Sequence, residues 1–386
     1  LWGLPTDAHA GKTGLSDSMS PGSIAELVQN PDIAFRVRFD GPLPPRQKLY
    51  WRGPVMEQFD GRTWQPYKGR YPAPQLESLS PPIDYETTLE AHNQRWLLAL
   101  DSPRNLPAEI TQNGTLTAVS QNPINERQRF RLSASLDYRF NTSEDPVVLQ
   151  RNLALPAGSN PQARALAGQW RASQSPEGVI DKALALFAAE FTYTLQPPLL
   201  GRHSVDDFLF QSKRGFCEHY AAAFVVLMRA AGIPARVVGG YQGGEFNPLD
   251  QYLVVRQSDA HAWTEVWLAG KGWVRVDPTA AVSPDRIETG IASALGFGEP
   301  LPMLIQLRSE WVRTLRYRWE AINNAWNQSV LGYNPQRQAE LLARLGLSDT
   351  DWRSLAVALG STCGLLVAAL MAWALYKRPE RDPTLR

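Results

Sequence analysis

The sequence is short of cysteine and has no excess of either charge. Only Cys217 and Cys363 occur in 386 residues, and the second lies in a long apolar run, so a disulfide framework is excluded and Cys217 is predicted to be a free thiol. The 39 basic and 38 acidic residues leave a net charge of +1, which gives no broad electrostatic basis for binding nucleic acid. What remains is an ordinary globular composition, 44% hydrophobic and 20% charged.

The length predicts more than one folded part, because 386 residues exceed what a single hydrophobic core usually organises. We expect a β-sandwich-like domain over residues 1–155, an α+β unit over 156–290, a linker with an amphipathic helical segment over 291–353, a transmembrane helix over 354–376 and a cytoplasmic tail over 377–386. The chain begins with Leu1 rather than methionine and shows no charged segment leading into an apolar run, so its start is expected to be a cut.

The first segment shows the alternation typical of β-strands. Phe35, Val37 and Phe39 alternate with Arg36 and Arg38, which predicts one apolar and one charged strand face. The same alternation returns at Phe130, Leu132, Ala134, Leu136 and Tyr138. Proline-rich and Asp-Gly turns separate the short strands, and helix formers become frequent after residues 150–160, which predicts the domain boundary there.

A transmembrane helix is predicted near the C-terminus. Residues 354–376 are uncharged and include the run LLVAALMAWAL, which as a helix is long enough to cross about 30 Å of hydrocarbon. Lys377, Arg378 and Arg381 follow, so the positive-inside rule places the C-terminus in the cytoplasm and the preceding residues outside, in a bacterium the periplasm. The expected location is the bacterial inner membrane, with the lipid bilayer as a partner.

An amphipathic segment precedes this predicted span. Its apolar residues fall three or four apart and are Leu304, Leu307, Trp311, Leu315, Trp319, Ile322 and Trp326. Two interpretations are open. The apolar stripe packs on the α+β unit, or it lies on the membrane surface, where tryptophan suits the headgroup region and Arg308, Arg313, Arg316 and Arg318 meet anionic lipid.

The segment RGFCEHYAAAFVVLMRAAGIP carries the strongest chemical signal. It predicts an apolar helix that begins at Cys217 and ends at Gly232, before Pro234. Unpaired N–H groups and the positive end of the helix dipole favour a thiolate at such a position, and the same N–H groups can hold an oxyanion. Cys217 is therefore predicted to be a nucleophile.

A thiolate nucleophile needs a proton acceptor and a group that orients it. His261 lies in the strand pattern DAHAWTEVWL, and Asp277 ends the strand pattern GWVRVDPT. Four residues divide Leu268 from Trp273, which predicts a hairpin with His261 and Asp277 near its open end on positions of matching parity. Taken singly, these residues have structural explanations as a polar core group and a turn former, but the order of helix-start cysteine, strand histidine and next-strand aspartate predicts a catalytic triad.

Other residues near the triad are weaker candidates. A zinc set of Cys217, His219, His203 and His261 is disfavoured, because a Cys-x-His pair on a helix points its side chains about 200° apart. Glu218 is expected to be solvated in the first helical turn. Candidates for the cleft wall are Trp263 and Glu265, which share the His261 face, and Arg236, Tyr241 and Asp259.

The residues around the predicted triad resemble a known family. Three segments, RGFCEHYAAAFVVLMRAAGIPARVVGGY, SDAHAWTEVWL and GWVRVDPT, resemble the core of the transglutaminase-like superfamily over roughly residues 180–285. The segments GLSDSMSPGSIAELVQNPDIAFRVRF and LYWRGPVMEQFDGRTW and the apolar C-terminal run extend the resemblance to bacterial inner-membrane transglutaminase-like proteins over nearly the whole chain. The resemblance implies an α+β fold, with a papain-like core after a β-sandwich, and a triad of Cys217, His261 and Asp277.

The activity implied by the resemblance is acyl transfer through a Cys217 thioester, with a glutamine side chain as donor and a lysine-type amine as acceptor. Such an enzyme is a protein-glutamine γ-glutamyltransferase that needs no cofactor. If water replaces the amine, the same site is an amidase or cysteine peptidase acting on periplasmic or cell-wall peptides. A non-catalytic scaffold that binds a periplasmic partner is a third interpretation, and the intact triad argues against it.

Overall fold

A computed structural model of the chain describes residues 14–291, a helix over 310–326 and six positions from 361 to 371. The strands are β1 (Ile33–Phe39), β2 (Tyr50–Met56), β3 (Gln58–Phe59), β4 (Trp64–Gln65), β5 (Leu76–Ser78), β6 (Ile83–Leu89), β7 (Ala99–Leu100), β8 (Pro103–Arg104), β9 (Ile110–Gln112), β10 (Ala118–Ser120), β11 (Gln128–Ala134), β12 (Tyr138–Phe140), β13 (Thr192–Tyr193), β14 (Arg214–Gly215), β15 (Ala235–Gln242), β16 (Glu245–Asn247), β17 (Tyr252–Arg256), β18 (Ala260–Leu268) and β19 (Gly272–Val276). The α-helices are α1 (Ala25–Val28), α2 (Pro146–Arg151), α3 (Pro161–Ser173), α4 (Pro176–Glu190), α5 (Ser204–Asp206), α6 (Cys217–Ala230), α7 (Pro278–Val282), α8 (Pro284–Glu288) and α9 (Glu310–Trp326). Shorter or wider helical turns cover Arg46–Lys48, Asp207–Ser212 and Gln257–Asp259.

Two large sheets organise the α+β fold. The seven-stranded sheet has the order β5-β12-β19-β18-β15-β2-β7, and the six-stranded sheet has the order β16-β17-β1-β6-β11-β8. Strands from both sides of residue 155 pair directly, since β2 is antiparallel to β15 and β1 is antiparallel to β17. The N-terminal strands are therefore built into the same sheets as the strands that carry His261 and Asp277. The separate β-sandwich-like domain and its boundary stay predictions.

Helix α6 lies at the centre of the core. It is apolar on nearly all sides, and all but two of its 14 residues are buried, because a helix without a polar face gains by being covered all round. It packs on α3, β15 and β18. Gly232 has φ +79° just past its end, a backbone conformation that glycine adopts without steric cost. The predicted helix from Cys217 to the Gly232 turn is confirmed.

The strand patterns in the N-terminal half are confirmed in part. β1 matches the alternation around Phe35 and Val37, and of the arginines on its charged face Arg38 is exposed while Arg36 is buried. Arg36 is 3% exposed and pairs with Glu90 at 3.0 Å, so a buried ion pair takes the place of solvent. The longer alternation up to Tyr138 is divided into β11 and β12, which belong to different sheets.

The C-terminal part is described only in fragments. By contacts the chain divides into Leu1–Tyr317 and Arg318–Arg386. Within the described residues, no helix combines the length and the apolar composition needed to cross a membrane, and most of the predicted span 354–376 lies outside them. In α9, the described members of the amphipathic stripe, Leu315, Trp319 and Ile322, are 62%, 68% and 66% exposed. The side chains of the other stripe residues lie outside the description.

Candidate active site

Cys217 is the first residue of α6 and is fully buried. Its neighbour across the site is β18, where the backbone N–H of Ala262 acts on the pKa of the thiol. Burial raises the pKa of the Cys217 thiol to about 12, while Arg286 and the Ala262 N–H lower it. The sequence-based expectation that the helix start alone favours a thiolate is therefore wrong for this closed site, because loss of hydration outweighs the helix dipole.

His261 and Asp277 meet through the predicted hairpin, which is confirmed. β18 and β19 are antiparallel, with Leu268 opposite Gly272 and Thr264 opposite Val276, so His261 and Asp277 lie on the same face of the open end. His261 Nε2 lies 2.8 Å from Asp277 Oδ2, and the imidazole is fully buried. Among the residues that the structure describes, its Nδ1 has no hydrogen-bond partner.

The carboxylate fixes the tautomer of the imidazole. Burial lowers the pKa of His261, and Asp277 opposes this without reversing it, so the resting imidazole is neutral. Nε2 carries the proton because it faces an acceptor-only carboxylate, and Nδ1 is left with a lone pair. Burial raises the pKa of Asp277, but His261 and hydrogen bonds bring it below its usual range, so the carboxylate stays charged.

Asp277 serves two structural roles at once. Its Oδ1 accepts the Thr279 N–H at 3.0 Å and caps α7, as expected of an aspartate that precedes Pro278. Its Oδ2 accepts from His261 and from the hydroxyl of Tyr50, also at 2.8 Å. The turn-former interpretation and the histidine-orienting interpretation are thus compatible, because they use different oxygens.

Tyr50 is a part of the site that sequence reasoning missed. It comes from β2, far upstream, and its pKa is raised by burial and by Asp277, so the hydroxyl stays a donor to that carboxylate. Its ring packs edge-on against Trp263 at 5.2 Å and lies under the Arg275 guanidinium at 4.1 Å. The segment LYWRGP belonged to the family resemblance, but nothing in its pattern indicates which residue reaches Asp277.

We expect Tyr50→Phe to lower turnover about tenfold while leaving the fold intact, because one donor to a buried carboxylate is lost and the others remain. Steady-state rates and the melting temperature measure the two effects. Tyr71→Phe is the matched control, since it removes a hydroxyl that donates to a different buried carboxylate, Glu57. Equal rates in the two variants would show that Tyr50 is only a packing residue.

The predicted wall residues have mixed outcomes. Trp263 is buried beside His261, with ring centroids 6.3 Å apart. Glu265 is not part of an open cleft, because it is buried between Arg52 and Arg236, with Arg236 Nη2 at 2.7 Å. Tyr241 and Asp259 instead make hydrogen bonds within the segment that precedes β18. The Tyr241 hydroxyl donates to Gln257 at 2.5 Å, and Asp259 accepts the Arg256 N–H at 3.0 Å.

Glu218 and His219 follow the cysteine and line a small, mostly apolar pocket together with Met19, Trp64, Leu200 and Phe208. The expectation that Glu218 is solvated is wrong, because it is 2% exposed. Its carboxylate accepts from Gly22 N–H, from Ser23 Oγ at 3.1 Å and from Ile24 N–H at 3.0 Å. In the described part of the chain, no group of histidine, cysteine, aspartate and glutamate is placed to hold a metal ion.

The burial of Glu218 gives a stability prediction with a definite sign. Burial raises its pKa from 4.5 to about 7, although the three donors lower it. Its contribution to stability is therefore complete below pH 4.5 and is lost as the pH rises to about 7. We expect the melting temperature of the wild type to fall relative to that of Glu218→Gln across this window. His219 is present in both proteins, so its titration cancels in the comparison. Melting temperatures that change in parallel with pH in the two proteins would refute the raised pKa of Glu218.

The arrangement supplies a thiol, a neutral base with a free nitrogen and a charged group that orients the base. These are the parts of a nucleophilic site in which the base takes the thiol proton as the bond to an electrophile forms. Cys217 and His261 are both fully buried, so a substrate reaches the sulfur only if the surrounding segments move apart. No cofactor is needed for such a proton transfer.

Two family models match the sequence. One is described as the TgpA N-terminal domain and covers residues 1–141, and the other is the Transglutaminase-like superfamily and covers residues 164–278. A protein-glutamine gamma-glutamyltransferase of Pseudomonas aeruginosa is 42% identical over 385 residues, which is 97% of this chain and 58% of that protein. The chain thus spans less than two thirds of that relative's length. The Bacillus subtilis protein YebA is 33% identical over 182 residues, 44% of this chain and 24% of YebA.

Solved structures agree with these matches. The periplasmic domain of TgpA from Pseudomonas aeruginosa is 45% identical and has a TM-score of 0.72, covering 74% of this chain and 100% of that domain. A structure of the same domain bound to ethylmercury is 46% identical, has a TM-score of 0.70 and covers 72% of this chain and 100% of that domain. The resemblance seen in the sequence segments is confirmed. The chain therefore belongs to the transglutaminase-like superfamily.

Proposed function

We propose that this chain is a cysteine acyltransferase, a protein-glutamine γ-glutamyltransferase in which Cys217 is the nucleophile, His261 the base and Asp277 the group that orients it. The observation that carries the proposal is the 2.8 Å contact from His261 Nε2 to Asp277, which leaves Nδ1 without a partner among the described residues, on the strand that packs against the helix starting at Cys217. The name of the 42% identical Pseudomonas aeruginosa relative supports the same class of reaction.

In the first half-reaction, the thiol proton passes to His261 Nδ1 while the sulfur attacks the carboxamide carbon of a glutamine side chain. The oxyanion that forms is within reach of the amide N–H of Cys217, one of the N–H groups that a helix start leaves without an internal partner. Collapse of the tetrahedral intermediate breaks the C–N bond. His261 returns the proton to the leaving nitrogen, which departs as ammonia and leaves a thioester.

In the second half-reaction, a primary amine attacks the thioester carbon and gives a proton to His261. The C–S bond breaks, the Cys217 sulfur recovers the proton, and the product is an isopeptide bond. Asp277 stabilises the imidazolium in both steps and keeps its proton on Nε2 when it is neutral. If water attacks instead, the product is a glutamate side chain and the reaction is an amidase reaction.

One product assay separates these outcomes. The chain is incubated with a glutamine-containing peptide, with and without a fluorescent primary amine, and ammonia and fluorescent peptide are measured together. Equal amounts of both are expected for the transferase. Ammonia with a peptide whose glutamine has become glutamate, and no fluorescent peptide, would identify the hydrolase. The absence of both products, together with a thiol that alkylates only after unfolding, would identify a non-catalytic scaffold.

We also propose that the catalytic part faces the periplasm and is held at the inner membrane by the span over residues 354–376. The similarity to the periplasmic domain of TgpA supports the periplasmic location, and the uncharged run with its basic flank supports the membrane span. The exposed Leu315, Trp319 and Ile322 favour the membrane-surface interpretation of the amphipathic stripe.

The membrane proposal is tested with a chain that ends at residue 353. It is expected to bind anionic vesicles, and binding is expected to weaken as salt is raised, because salt screens the arginines. Replacement of Leu315, Trp319 and Ile322 by serine is expected to abolish binding at an unchanged melting temperature. A large drop in melting temperature would show that the stripe covers a core.

A further inference from the structure

A buried arginine lies beside the site without a place in the proposed reaction. Arg286 is on α8, beyond the residues 164–278 that match the superfamily model, and none of its side chain is exposed. Burying a guanidinium costs free energy unless its donors and its charge find partners. The partners of Arg286 therefore indicate what it does.

The hydrogen bonds of Arg286 reach the start of the histidine strand. Its Nη2 donates to the carbonyls of Ala260 at 3.2 Å and Asp259 at 3.4 Å, and its Nη1 donates to Gln242 Oε1 at 3.5 Å. Asp259 and Ala260 directly precede His261. The guanidinium therefore links α8 to the point where β18 begins, so a displacement of either element changes where the imidazole lies.

The charge of Arg286 is not neutralised by an ion pair. Within the described ranges, 14–291 and 310–326, no carboxylate pairs with it. The acid that acts on it is Asp259, whose carboxylate already accepts the Arg256 N–H at 3.0 Å and lies 3.8 Å from Arg46. Burial lowers the pKa of Arg286, but Tyr193, Asp259 and Cys217 raise it overall, so the group stays positive.

The same charge acts on the nucleophile. Among the neighbours of Cys217, Arg286 is the strongest influence that lowers the thiol pKa against burial, while Glu218 and Asp277 raise it. Cys217 in turn raises the pKa of buried Tyr193, whose hydroxyl stays protonated. Arg286 also lowers the pKa of His261, but burial and Asp277 have larger effects on that pKa. The net effect of the charge is to favour an anion on the sulfur.

We propose that Arg286 is a positioning residue of this site: its guanidinium holds the start of β18, and with it His261, and places a fixed positive charge at the buried site. The role of Cys217 as a nucleophile rests on the proposed acyl transfer, whereas the effect of the Arg286 charge on the thiol does not. In the closed site, this positive charge partly offsets the lost hydration of the sulfur. The same charge stabilises the oxyanion, which forms on the carbon that is bonded to the sulfur.

The test is the rate of Cys217 alkylation by iodoacetamide, measured against pH in the full chain. Arg286→Met is expected to lower the rate about tenfold at each pH below the pKa of the thiol, which displaces the profile to higher pH. Arg286→Lys keeps the charge and is expected to restore most of the rate. Arg229→Met is the matched control, because Arg229 is also buried and donates to the carbonyls of Ala235, Ala154 and Glu57. It is expected to lower the melting temperature without moving the profile.

An unchanged profile in Arg286→Met would overturn the proposal, and so would an equal displacement in Arg229→Met. An equal fall in rate in Arg286→Met and Arg286→Lys would show a purely structural role. If Arg286→Met does not fold, Arg286→Gln is compared with Arg286→Lys by the same criteria. Alkylation needs no acyl donor, so a wild type that shows the charge effect but releases no ammonia would refute the proposed function and leave the role of Arg286 standing.

Discussion

Cys217→Ala is expected to abolish turnover, lowering ammonia release from a glutamine peptide on the order of 10⁴-fold or more, because the group that forms the covalent bond is removed. The fold is expected to persist. Replacing a buried thiol by a methyl group leaves a small cavity, with a cost of about 1 kcal/mol in the free energy of unfolding. Rates are measured with coupled ammonia detection, and stability by thermal unfolding.

The matched control is Cys363→Ala, which removes the other cysteine of the chain. It is expected to leave ammonia release unchanged. If Cys217→Ala kept a measurable fraction of wild-type turnover while Cys363→Ala lost it, the nucleophile would be misassigned. If both variants kept turnover, the reaction would not proceed through a cysteine.

Asp277→Asn is expected to lower turnover on the order of 10³- to 10⁴-fold, because an amide neither stabilises the imidazolium nor forces the proton onto Nε2. The His261 Nδ1 lone pair would then be lost in the fraction of molecules with the other tautomer. The effect is expected in the rate constant of the chemical step rather than in substrate binding, which single-turnover kinetics separate.

Asp206→Asn is the control for the capping role of Asp277. Asp206 is a buried aspartate that accepts the N–H groups of Gln162 and Ala163 at the start of α3. Both variants are expected to lose similar stability, because each weakens a helix cap. Only Asp277→Asn is expected to lose turnover. Similar, small rate effects in the two variants would reduce Asp277 to a helix cap.

The local elements of the site were predictable from the sequence. The apolar run over residues 220–228, between Cys217 and Gly232, has one reasonable solution, a buried helix, and the short turn after Leu268 has one reasonable partner strand. The parity of His261 and Asp277 then follows from the period of two in a strand. Each of these features depends on residues that lie close together in the chain.

The features that were missed depend on residues far apart in the chain. Tyr50 reaches Asp277 because β2 pairs with β15, and no periodicity records which distant strand becomes the neighbour. Arg286 is polar in a polar segment, so composition predicts a solvated side chain. The pKa of Cys217 was predicted in the wrong direction, because the helix start can be seen in a sequence and the depth of burial cannot.

The central claim, a thioester on Cys217, is tested most directly by mapping the covalent intermediate. The chain is mixed with a glutamine-containing peptide, quenched in acid within the first turnover and analysed by peptide mass spectrometry. The account predicts an adduct of the peptide minus ammonia on the fragment that contains Cys217, which disappears when a primary amine is added before the quench. Wild-type turnover with no adduct on that fragment, or with an adduct on another residue, would contradict it.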